Sequence, residues 1–72
     1  MVKFKAAFGG VDKQVELHEP NGVGQQMYYV MIDGFYCGRI WKTEYFGWQN
    51  DIHPSLNLSM GDIQILIDMI KV

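Results

Sequence analysis

Met27-Tyr28-Tyr29-Val30-Met31-Ile32-Asp33-Gly34-Phe35-Tyr36-Cys37-Gly38-Arg39-Ile40-Trp41 sets an Asp-Gly pair between two runs rich in aromatic and β-branched residues. Asp and Gly both accept the positive φ that a two-residue hairpin turn demands, so the stretch reads as two antiparallel strands joined tightly. A two-residue turn at Asp33-Gly34 pairs Ile32 with Phe35, Val30 with Cys37, Tyr29 with Gly38 and Tyr28 with Arg39. In that register Tyr29 shelters the bare backbone of Gly38.

Working toward the start of the chain, Asn21-Gly22-Val23-Gly24 reads as a turn and Pro20 as the end of the preceding strand, because Pro removes a ladder donor. Residues 2–8 alternate with period two, Val2, Phe4, Ala6 and Phe8 on one side and Lys3, Lys5 and Ala7 on the other. A four-residue loop, Gly9-Gly10-Val11-Asp12, closes Phe8 on Lys13 and sets Ala6 opposite Val15, Phe4 opposite Leu17 and Lys5 opposite Glu16. Toward the other end, Gly47 and Pro54 interrupt residues 43–58, within which Trp48–Ile52 is a candidate fifth strand. Ser59 with Asp62 three positions on forms an Asp variant of the capping box, so a helix starts at Met60. Ile63, Leu66, Ile67 and Ile70 then form an apolar stripe at helical spacing.

The expected fold is α+β: an antiparallel meander sheet of four to five strands with one C-terminal helix, residues 60–71, packed on one face. Strict alternation gives that face Val2, Phe4, Ala6, Phe8, Val15, Leu17, Tyr28, Val30, Ile32, Phe35, Cys37 and Trp41, with Arg39 at its margin against Tyr28 or Trp41. The second face receives Lys3, Lys5, Gln14, Glu16 and His18 from the first two strands, residues that belong in water. From the next two it receives Met27, Tyr29, Met31, Tyr36 and Ile40, which form an apolar patch. Either residues 43–58, with Tyr45, Phe46, Trp48 and Ile52, fold back over that patch, or it is the interface of a homodimer or protein partner, or it is a small-ligand groove.

Length and composition limit the function classes. With 72 residues, 49% of them hydrophobic and 19% charged, residues 1–72 are expected to form a single small globular domain. Ordering costs roughly 1.5 kcal/mol per residue, which so small a core offsets only narrowly, so association would add useful burial. A net charge of −2 gives no general attraction for phosphate backbones, and nucleic acid is not an expected partner. A single cysteine, Cys37, cannot make an internal disulfide. Gly9-Gly10 breaks the opening Met-Val-Lys-Phe-Lys-Ala-Ala-Phe before a signal core can form, and no apolar run approaches a bilayer span, so the expectation is a cytoplasmic protein away from membranes.

The candidate chemistry is sparse. His18, His53 and Cys37 lack ligand spacing, so no metal site or cofactor is expected. Cys37 falls on the core face, where a thiol is structural. Asp51 and His53 could pair, yet no nucleophile is tied to them, and Ser55 and Ser59 read as turn and cap. The glycine-rich turns do not open a helix after a strand, as phosphate cradles do. The expected function is therefore that of a non-enzymatic interaction domain using Met27, Tyr29, Met31, Tyr36 and Ile40, with a ligand-binding module on the same face as the alternative.

Overall fold

A computed structural model describes residues 2–20 and 26–71. The elements are β1 (Val2–Phe8), β2 (Val11–His18), β3 (Met27–Ile32), β4 (Phe35–Thr43), β5 (Gly47–Ile52), a 3-10 turn (Pro54–Leu56) and α1 (Met60–Lys71). The strands form one antiparallel sheet in the order β1-β2-β3-β4-β5, with α1 after them, so the fold is α+β with the meander the residue pattern implies. The Asn21-Gly22-Val23-Gly24 turn lies outside the described residues.

The first hairpin is tighter than the four-residue loop expected. Gly9 and Gly10 both take positive φ, 60° and 80°, which lets two residues reverse the chain and pairs Phe8 with Val11. The register moves by two positions, setting Val2 opposite Leu17, Phe4 opposite Val15 and Ala6 opposite Lys13. Lys3, rather than Lys5, therefore meets Glu16 across the strands. A shift of two preserves parity, so every side chain keeps its face.

Asp33 and Gly34 make the expected two-residue turn, with φ of 51° and 84° and Ile32 opposite Phe35. Asp33 also fastens this turn to the neighbouring strand. Its Oδ1 accepts the Gln14 N–H at 3.0 Å, its own N–H donates to the Gln14 carbonyl at 2.8 Å, and Lys13 Nζ lies 3.4 Å from Oδ2. The hydrogen bond from the Gln14 backbone, aided by Lys13, holds the Asp33 carboxyl below its ordinary value. A carboxylate depressed in the folded state adds stability that is present above about pH 4 and lost as pH falls through its folded value. Asp33→Asn keeps the turn conformation and an acceptor for Gln14 but has no such titration. In denaturant titrations, the wild type's advantage over this variant is expected to shrink between about pH 6 and about pH 3; a constant difference would contradict the assignment.

Beyond Tyr36 the second hairpin departs from simple alternation. A β-bulge inserts one extra residue in β4, so Met31 faces Tyr36 but Val30 faces Gly38, Tyr29 faces Arg39, Tyr28 faces Ile40 and Met27 faces Trp41. The expected Val30–Cys37, Tyr29–Gly38 and Tyr28–Arg39 pairs are thereby corrected, as is the sheltering of Gly38 by Tyr29. Gly38 is needed for a different reason. Its φ is 143°, and a Cβ there would overlap the Asp51 carbonyl oxygen and lie 2.8 Å from the Ile52 Cα. The extra residue reverses parity for the rest of β4. Ile40 turns into the core and is 0% exposed, while Arg39 and Trp41 move to the opposite face.

Residues 43–58 do not fold back over the apolar patch of the second face. Thr43 and Gly47 close a three-residue turn, with Thr43 Oγ1 donating to the Gly47 carbonyl and accepting the Phe46 N–H, and β5 then adds to β4 as an edge strand. Tyr45 and Phe46 stand exposed at this tip, 85% and 79% accessible. Trp48 and Ile52 pack on the core side, the Trp48 ring 6.5 Å from that of Tyr28. Ser59 and Asp62 form the expected reciprocal cap: Asp62 N–H donates to Ser59 Oγ at 3.1 Å and Ser59 N–H to Asp62 Oδ2 at 3.0 Å. Such a cap contributes about 1 kcal/mol. α1 then buries Ile63, Leu66 and Ile67 in one cluster with Ala6, Phe8, Val15, Leu17, Val30, Ile32, Cys37 and Ile40. Phe35 sits beside its turn and stays exposed.

Candidate functional site

The sheet face away from this core carries the candidate site. Because Leu17 and Val30 are buried core residues, their neighbours Glu16, His18, Tyr29 and Met31 project to the other side. Cross-strand register arranges this face in rows. Lys3, Glu16, Met31 and Tyr36 form one, His18, Tyr29, Arg39 and Asp51 the next, and Met27, Trp41 and Gln49 a third.

Four of the five expected site residues, Met27, Tyr29, Met31 and Tyr36, lie together here. Tyr29 and Tyr36 meet edge to face with ring centroids 5.9 Å apart, a favoured aromatic geometry. Tyr36 is 62% and Tyr29 37% exposed, while Met27 and Met31 are half-buried between their neighbours. Ile40 does not belong to the site, because the bulge places it in the core. Trp41 and Arg39 take its place, with the guanidinium carbon 4.9 Å from the Trp41 ring centroid. This is the expected cation–π contact, found on the opposite face from the one expected.

His18, Tyr29, Met31 and Tyr36 line an open, mainly apolar groove of about 530 Å³. His18 Nε2 lies 3.1 Å from Glu16 Oε1 at its rim. The charges are distributed unevenly across the face. Its outer strands carry one sign each, Lys3 and Lys5 on β1 and Asp51 on β5, while β2 brings Glu16 beside His18 and β4 brings Arg39.

The other chemistry-bearing side chains have structural work. The buried Cys37 thiol lies 3.2 Å from the Phe35 carbonyl oxygen. His53 caps the 3-10 turn: its Nδ1 accepts the Ser55 N–H at 3.2 Å and lies 2.7 Å from Ser55 Oγ, with Pro54 opening the turn. Asp51 sits on the second face opposite Arg39. Among the described residues no three His, Cys, Asp or Glu side chains are grouped to hold a metal ion. No helix among them is long and apolar enough to cross a membrane.

Comparison with protein-family models, curated proteins and solved structures gives no match.

Proposed function

We propose that this chain is a non-enzymatic interaction domain that acts through self-association or a protein partner on the second sheet face. One observation carries the reading: Met27, Tyr29, Met31, Tyr36 and Trp41 form a contiguous apolar surface on β3 and β4 that no other described element covers. Tyr, Trp, Met and Arg are the residue types enriched in interface cores, and all four meet here. A groove of about 530 Å³ is also large enough for a small ligand. Its open mouth suits a large complementary surface better than a molecule that must be enclosed.

Hydroxyl-radical footprinting tests the proposal, because Met, Tyr and Trp are readily oxidised when accessible. Met27, Met31 and Tyr36 are expected to oxidise several-fold more slowly in the cells that make the protein than in dilute purified chain, with exposed Tyr45 as the internal reference. Equal rates in both settings would overturn the assignment.

A further inference from the structure

We infer that the occupant of this face is a second copy of the chain, related by a two-fold axis that lies in the interface and runs along β3. The inference rests on the interaction-surface reading above and adds the partner and its orientation. Two identical sheets facing one another have two simple two-fold arrangements. With the axis along the strands, β3 covers β3 of the second copy, β2 covers its β4 and β1 covers its β5. With the axis across the strands, β1 covers β1 and β5 covers β5.

Charge decides between them. On this face β1 offers Lys3 and Lys5, and β5 offers Asp51. Any crosswise axis returns β1 to β1 and β5 to β5, so the lysines face the lysine-bearing strand and Asp51 faces the strand that carries Asp51, an arrangement that like charges oppose. The lengthwise axis lays each row on its own row: it brings Lys3 over β5 of the second copy one row, about 7 Å, from Asp51, and it sets His18 over Arg39 with Glu16 one row away. It also lays Met27, Tyr29 and Met31 against the same three residues of the other copy, at the centre where apolar and aromatic groups contribute most.

Size sets the strength. Five strands at about 4.8 Å spacing and about 20 Å of length give a projected face on the order of 500 Å² per copy. Two such faces bury on the order of 1,000 Å², the lower limit for a specific interface, which places the pair among small, reversible assemblies.

Sedimentation equilibrium of the wild type, Lys3→Glu, Asp51→Lys and an equimolar mixture of the two variants tests the orientation. Each variant alone is expected to dimerise at least about five-fold more weakly, because its two symmetry-related pairs become Glu near Asp or Lys near Lys. The mixture is expected to recover dimerisation to within about two-fold of wild type. In the mixed dimer the glutamate introduced on β1 of one copy lies near the lysine introduced on β5 of the other, and the unchanged Lys3 lies near the unchanged Asp51. The two positions lie on opposite edges of one sheet, about 19 Å apart by strand spacing, so recovery has to arise across the interface.

If the wild type dimerises and Tyr29→Lys dissociates it, but mixing restores nothing, the orientation falls and the face survives. A dimer indifferent to Tyr29→Lys overturns both. A wild type that stays monomeric up to about 500 µM overturns the second copy as occupant, and footprinting then decides separately whether another partner covers the face.

Discussion

Gly38→Ala is expected to cost about 3 kcal/mol or more, the largest loss from a glycine-to-alanine change among the described glycines. Two costs combine at one position. A φ of 143° strains any side chain, and the new Cβ would overlap the Asp51 carbonyl oxygen while lying 2.8 Å from the Ile52 Cα. Both obstacles are backbone, which cannot rotate aside as a flexible side chain does. Relief requires β5 to separate from β4 or the bulge to straighten, and straightening would drive Arg39 into the core and Ile40 out of it. A domain of this size has roughly 4–10 kcal/mol of total stability, so the variant should be largely unfolded or close to it on warming. Denaturant unfolding followed by Trp fluorescence measures the loss; a change below about 0.5 kcal/mol would contradict the close approach of β5 at Gly38.

The second large effect is a contrast between adjacent residues. Ile40→Ala is expected to cost about 2–5 kcal/mol, because it empties a fully buried site in the core cluster. Trp41→Ala, although it removes more atoms, should cost less than half as much, since its half-exposed ring lies on the open face beside Arg39. Unbroken alternation along β4 would require the reverse ordering, with Trp41 buried and Ile40 exposed. The pair of unfolding free energies therefore reads the bulge directly.

The features legible in the sequence depend on near neighbours. Asp33-Gly34, the alternation in residues 2–8, the Ser59–Asp62 cap and the apolar stripe from Ile63 to Ile70 each act over a few residues, and the strands, the meander and α1 follow from them. The two-residue turn at Gly9-Gly10 is equally local, but the looser loop preserves the same parity, so hydrophobic pattern alone does not separate them. The bulge is different, because Gly38 beside it lies against the backbone of β5, a strand reached only after the next turn. Two signals for it are nevertheless present in the sequence. A glycine within a strand marks a bulge or a close approach, and strict alternation places charged Arg39 on the core face, where burial is costly. Four members of the candidate site are legible because they precede the bulge along the hairpin. Ile40 is misplaced by alternation, and Arg39 and Trp41 are missed by it, because they follow the bulge.

Lys3 and Lys5 also bear on how large an assembly can grow. They alternate along β1, a strand with one side unpaired, and antiparallel addition of another β1 centred on Phe4 would set Lys3 beside Lys5 of the incoming strand. Like charges at such spacing penalise ribbon extension from that margin. The same two ammonium groups that would face the Asp51 strand in the proposed face-to-face pair thus discourage open-ended fibrils built side by side.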